Sequence, residues 1–407
     1  MNWNKALSLG LAGVMAAGML TGCSVSSTGG AQQDAQQTGG GSTGDKVVKI
    51  GIFEPSTGDS GAGGKQETLG MQYGNYETPT VEIGGETYQV ELVYADNGST
   101  TDKAVSAASK LVDEEVSLVL GSYGSSVSIA AAPTFADAGI PAIGVTCTNP
   151  NVTAGNPYYF RACFMDSFQG TVLANFAADK FSATKAYCLG ELGNEYDQGL
   201  IEYFTKGFEA KGGTVVADSF PTNNSDFTSY LNKAKNEGAQ VIFCPVSLAY
   251  STQIIKQAAS MGLDIPLLGS DTLDSNKVLE AASGTDVQVY VSTFYQEGGS
   301  QEFDDGIKAW INSDSTAKTN NGGNDTISGL TAMGYDAYYM ALEALKAAGS
   351  TDPQAVYEAL PNVTWSGVTG DIAFDDVNGD AIRDTAFIKT ADTANDAWVL
   401  ETVQKAD

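Results

Sequence analysis

The sequence predicts an α/β protein built as two doubly wound parallel-sheet lobes joined by a hinge. Three observations carry that prediction. Short apolar β-like runs alternate with amphipathic helical patterns, which implies parallel sheets covered on both faces. The alternation runs through two separate series rather than one. Residues 46–407 are long enough for two domains of ordinary size, and a 42% hydrophobic fraction is normal for a globular chain.

The first residues stand apart from this pattern. Residues 1–20 carry Lys5 as their one charged side chain and an apolar stretch over 6–20, too short for a stable membrane span and suited to a signal peptide. The stretch ends in Leu20-Thr-Gly-Cys23, which resembles the lipobox of bacterial lipoproteins. That resemblance implies cleavage of residues 1–22 and acylation of Cys23, anchoring the mature chain on the outer side of a membrane. Residues 23–45 are rich in Gly, Ser, Thr, Gln and Ala, a composition that buries too little surface to fold and reads as a flexible tether.

In the first series, strands over 47–54 and 88–95 precede a helix over 101–116, whose Val105, Ala108, Leu111 and Val112 share one face. A strand over 117–120, a helix reaching Ala138 and a strand over 140–145 complete it. Residues 58–70, with several glycines, read as a loop. The second series begins with a helix over 166–181 and a strand at Lys185. A helix carrying Leu200, Ile201, Phe204 and Phe208 follows, then a strand over 213–220. Helix and strand pairs continue through 239–246 and 265–269, and a helix covers about 327–348.

Composition removes several chemistries. With no histidine there is no Ser-His-Asp triad, no Cys-His dyad and no imidazole metal ligand. A net charge of −28 repels nucleic acid and anionic lipid. Arg161 and Arg383 are the only arginines, too few for a multi-arginine phosphate or polycarboxylate clamp. Cys147, Cys163, Cys188 and Cys244 lack CxxC spacing, which argues against a metal cluster or redox motif. Cys188 and Cys244 lie in runs that fit neighbouring strands, so a disulfide is open to them, though buried thiols are the favoured reading. Asp375-Asp-Val-Asn-Gly379 lacks the alternating oxygens of a calcium loop and reads as a turn.

In open parallel sheets, ligands bind beyond the carboxyl ends of strands, where loops enter helices. Three loops qualify. Gly121-Ser-Tyr-Gly-Ser-Ser126 offers hydroxyls and free N–H groups that suit a carboxylate at a helix N-terminus; Ser125 or Ser126 as a helix cap is the plainer alternative. Val145-Thr-Cys-Thr-Asn-Pro150 is again hydroxyl-rich. Gly269-Ser-Asp-Thr272 places Asp271 just past a strand, where it either pairs with an ammonium group or caps the next helix.

These segments fall in the order of a known family. Ile50-Gly-Ile52 with Ser56-Thr-Gly58, Tyr94-Ala-Asp-Asn97, Leu118-Val-Leu-Gly121 and Gly139-Ile-Pro141 lead. Phe160-Arg161, Asp166, Gln169-Gly170, Tyr196, Gly370-Asp-Ile-Ala-Phe-Asp375 and Gly379-Asp380 follow. Over residues 46–403 the chain resembles the solute-binding proteins of branched-chain amino acid ABC transporters, the leucine/isoleucine/valine-binding type with the type I periplasmic-binding-protein fold. The resemblance implies lobes of 46–164 with 293–365 and of 165–292 with 366–407, which close over a ligand. It puts Ser125, Thr146 and Thr148 on the ligand from the first lobe, and Tyr196 and Asp271 from the second. Asp271 stands where close relatives have glutamate. Tyr335 is a further candidate lining residue, and Arg161 reads as structural.

The function these readings imply is a monomeric, lipid-anchored binding protein for a small amino acid, branched-chain or otherwise aliphatic, with no cofactor. Its partners would be an ABC permease with its ATPase subunits, and the membrane through the anchor; nucleic acid is not among them. Alternatives are a clamp that senses another small molecule, such as an amide, a urea-like solute or an aromatic acid, and a hydrolase-like enzyme using Ser125 or Cys147. The enzyme reading lacks a base near either nucleophile.

Overall fold

The computed structural model describes residues 46–405. The signal peptide, Cys23 and the tether lie outside the described residues.

A strand with no polar face has to be buried on both sides. β1 (Lys46–Glu54) is such a strand beyond its first residues, and it sits at the centre of a six-stranded sheet. Its neighbours are β3 (Glu86–Asp96) and β4 (Leu118–Leu120), both parallel to it. β5 (Ala142–Gly144) and β6 (Tyr159–Arg161) extend the parallel run. β2 (Thr80–Ile83) closes the other edge antiparallel to β3, giving the order β2-β3-β1-β4-β5-β6.

The second sheet repeats the plan. β7 (Lys185–Glu191) pairs in parallel with β8 (Thr214–Phe220) and β9 (Val241–Phe243), and β10 (Leu267–Gly269) and β11 (Val289–Thr293) continue it. The chain then returns to the first lobe. Helices Gln301–Ser313 and Gly329–Ala348 pack there, with Phe303, Ile307 and Ala332 sharing a core with Leu69 and Tyr73. The hairpin of β12 (Thr364–Gly367) and β13 (Gly370–Ala373) lies on the same helix, Trp365 stacking on Tyr339 with ring centroids 5.1 Å apart. The lobe change expected at residue 366 therefore falls inside a paired hairpin. The chain joins the second sheet only at β14 (Ala386–Asp392), which with β15 (Ala397–Gln404) forms an antiparallel edge beside β11.

The segment read as a loop over 58–70 is a correction. It forms the helix Gly61–Glu77, packed closely on Gly329–Ala348. Its glycines serve approach rather than flexibility. A Cβ on Gly70 would lie 1.9 Å from the Thr331 carbonyl oxygen, and one on Gly334 would lie 2.1 Å from that of Glu67. The backbones touch because neither position has a side chain, and that contact carries Glu67 into the cleft.

Both arginines secure the chain where it passes between lobes. Arg161 is fully buried, with Nε and Nη2 donating to Asp380 Oδ1 at 2.8 and 2.7 Å. Its Nη1 donates to the carbonyls of Cys147 and Asn149, holding the 145–150 loop from behind. Arg383 donates to the carbonyl of Ala162 and to both oxygens of Thr369. The structural reading of Arg161 matches this position. The four described cysteines are free and buried, although Cys188 pairs in register with Phe243, next to Cys244. In the turn at 375–379, one Asp375 oxygen accepts the N–H groups of Val377, Asn378 and Gly379.

Candidate functional site

The carboxyl ends of both sheets face one closed cleft. Hydrogen bonds cross it: the Tyr123 hydroxyl donates to the Thr272 carbonyl at 3.1 Å, and Asn149 Nδ2 to the Glu195 carbonyl at 2.8 Å. The Glu195 N–H donates to Ser126 Oγ at 3.2 Å. First-lobe loops thereby rest on second-lobe turns, and the groups between them are out of water.

On the first-lobe side, the helix Ser125–Ala138 follows β4 through Gly124, its N-cap, and no side chain caps it. The first-turn N–H groups and the positive end of the helix dipole are left for an anion. Ser125 is buried and does not cap; its Oγ accepts from the Asn149 N–H at 3.2 Å, so its proton remains to be donated. Thr148 is fully buried, and its hydroxyl lies beside the Asp166 carboxyl with no other partner. Thr146 donates to Glu67 Oε1.

From the second lobe, Asn194 caps the helix Glu195–Ala210 and sets Tyr196 in its first turn. The Tyr196 hydroxyl donates to Asp271 Oδ1 at 2.7 Å, and Gln169 Nε2 donates to the same oxygen at 2.7 Å. Gln169 is fixed in turn by the Asp271 N–H and the Ser292 hydroxyl. Asp271 is fully buried, its bonds go to these side chains rather than to a helix end, and its Oδ2 is unpartnered. Burial, partly offset by the Tyr196 and Gln169 bonds, pushes its carboxyl up to about 6.

The structure thus brings Ser125, Thr146, Thr148, Tyr196 and Asp271 to one cleft. Tyr335 is not brought there. It packs against Tyr73, Phe303 and Tyr339 between the first-lobe helices, with its hydroxyl on Glu77 at 2.8 Å. An aromatic among Ala and Leu at helical spacing fits a core as well as a pocket, and here it fills the core.

Three further carboxyls complete the site. Glu54 ends β1, Glu67 projects from the glycine-packed helix, and Asp166 opens the helix Asp166–Phe181. All are buried, and each has an unpartnered oxygen. Burial pushes Asp166 up to about 8. It does the same to Glu67, at about 8, against the lowering effect of bonds to Glu54 and Thr146; Glu54, beside Glu67, is also held well above the ordinary range. Glu54 carried the signal that marked Asp271, an acid at the end of an apolar strand. Glu67 carried none, because its helix did not show in the sequence. Burial also keeps the Cys147 thiol protonated, at about 11, which removes the thiolate that a cysteine nucleophile needs.

A model of the family described as periplasmic binding protein matches residues 47–395. The Leu/Ile/Val-binding protein homolog 2 of Brucella abortus is 28% identical over 331 residues, 81% of this chain and 86% of that protein. The crystal structure of a leucine binding protein from Thermotoga maritima superposes with a TM-score of 0.78 at 29% identity, covering 88% of this chain and 99% of the other. A branched-chain amino acid transporter substrate binding protein from Streptococcus pneumoniae, solved with isoleucine, gives 0.75 at 26% identity, with coverage of 88% and 99%.

The carboxyl pKa values set a pH dependence. Glu67 and Asp166 fall from about 8 in the folded state to 4.5 and 3.8 when unfolded. Between those limits the folded state holds protons that the unfolded chain has released, so stability decreases as pH rises. The closed protein is expected to melt several degrees lower at pH 8 than at pH 5 by scanning calorimetry. In Glu67→Gln the decline should be shallower. A wild-type melting temperature that is flat or rising across that range would contradict the assignment.

Proposed function

This chain belongs to the periplasmic binding protein family, and on that premise we propose that it is the lipid-anchored, extracytoplasmic receptor of an ABC importer, closing two lobes over a small α-amino acid. The family supplies the substrate-binding, non-enzymatic component of such transporters. The observation that supports the amino-acid reading is the pairing of opposite demands across one cleft. Thr148 and the uncapped first turn at Ser125 offer donors to a carboxylate, while Asp271, held by Tyr196 and Gln169, keeps an unpartnered oxygen for an ammonium group. A zwitterion satisfies both at once.

Closure does the energetic work. In water the ammonium–carboxylate attraction is weak; in a dry cleft it is several-fold stronger, provided both groups are fully paired. Direct contacts such as Tyr123 to Thr272 then hold the closed form. A permease would read that closed form, with Cys23 and the tether keeping the receptor near it.

Asp271→Ala leaves the ligand's ammonium buried without a partner, a loss of about 3–5 kcal/mol or roughly a hundred- to a few thousand-fold in affinity. Calorimetric titration should read that loss while far-UV circular dichroism stays unchanged. Affinity within a few-fold of wild type would remove Asp271 from the site. For the anchor, Cys23→Ala should move the protein from the membrane pellet to the soluble fraction; continued pelleting as an acylated species would refute attachment at that residue.

A further inference from the structure

The acidity of the cleft exceeds what one ammonium group uses. Asp271, with its two donors, is sufficient for an α-ammonium. Yet on the first-lobe wall two consecutive elements, β1 and the helix Gly61–Glu77, bring Glu54 and Glu67 close enough to share a proton. One oxygen of each is employed by the protein. Glu54 Oε2 accepts the Tyr123 N–H at 2.7 Å, and Glu67 Oε1 accepts the Thr146 hydroxyl. The other two, Glu54 Oε1 and Glu67 Oε2, are buried and receive no donor from any other protein group, so they have only the proton that the pair shares. Glu67 feels the charge of Asp271, and Tyr123 feels both, so these groups converge on one space.

An aliphatic side chain is a poor occupant for that wall. It would seal from water a carboxyl pair that shares one proton, leaving a buried negative charge without a cation. Arg161, the buried cation behind the 145–150 loop, is already committed to Asp380, Thr153 and the carbonyls of Cys147 and Asn149. Neutralisation is left to a proton or to the solute.

We propose that the solute is an α-amino acid whose side chain ends in a cation, with the α-ammonium on Asp271 and the side-chain cation between Glu54 and Glu67. The assignment rests on the amino-acid reading of the same cleft and narrows it. A carboxyl pair sharing one proton carries one negative charge, which one side-chain cation matches. Charge-assisted bonds from an ammonium or guanidinium then reach the two oxygens to which no other protein group donates. The net charge of −28 also draws such a cation toward the cleft.

The test uses the folded chain freed of bound solute, with L-lysine, L-ornithine, L-arginine, L-leucine and L-isoleucine as probes, read by thermal shift and then by calorimetry. At least one of the three basic amino acids should bind more than about tenfold tighter than leucine. Glu54→Gln and Glu67→Gln should each weaken that binding by about tenfold or more, the loss expected for one charge-assisted pair. Both variants should melt at least as high as wild type at pH 8, because an amide replaces an acid whose ionisation burial opposes; this separates lost recognition from lost folding. Tighter binding of leucine or isoleucine than of every basic probe would overturn the inference and leave the amino-acid reading standing. Basic binding unaffected by either variant would overturn the Glu54–Glu67 assignment. No response to any amino acid would overturn both readings.

Discussion

A carboxyl group taken out of water has to keep its proton, find a cation or collect hydrogen-bond donors. The cleft of this protein buries Glu54, Glu67, Asp166 and Asp271 together, and each retains an oxygen with no partner. Elsewhere the same chain resolves such burials internally. Asp274 is fully buried but receives Lys389 Nζ at 3.0 Å and the Gly329 N–H at 2.7 Å, and Asp380 receives Arg161. The contrast separates acids paired within the fold from acids that the proposed solute would meet.

The remainder of the architecture serves that arrangement. Parallel strands β1, β4, β5, β7, β9 and β10 end at the cleft, so every loop that follows them is a candidate binding segment. Arg161 stiffens the 145–150 loop through two of its carbonyls, which sets Thr146 and Thr148. Backbone contact at Gly70 and Gly334 places Glu67 beside Glu54. The scarcity of arginine follows the same logic, since both guanidinium groups are spent where the chain crosses between lobes.

The sequence made the sheets legible because strands buried on both faces read as unbroken apolar runs, as in Val241–Phe243 and Leu267–Gly269. The edges were not legible. β2 and the β12–β13 hairpin are antiparallel and partly exposed, with no apolar run to mark them. The helix Gly61–Glu77 was hidden because glycine argues against a helix locally and is explained only by the partner helix it touches. At the cleft, hydroxyls and an acid in strand-end loops were enough to single out Ser125, Thr148 and Asp271, which the structure gathers there. Glu67 depends on that unseen helix, so the acidic pair with Glu54 could not be foreseen. Tyr335 shows the converse error, since periodicity cannot tell a pocket aromatic from a core one.

The account turns on protons that the buried carboxyls of the closed cleft hold until a cation takes their place. Calorimetric titration of a basic amino acid at pH 7, repeated in buffers of different ionisation enthalpy, counts them directly. Glu67, at about 8 in the closed cleft, predicts net proton release into the buffer when a side-chain cation takes the place of its proton. Equal heats in all buffers, or proton uptake, would contradict it.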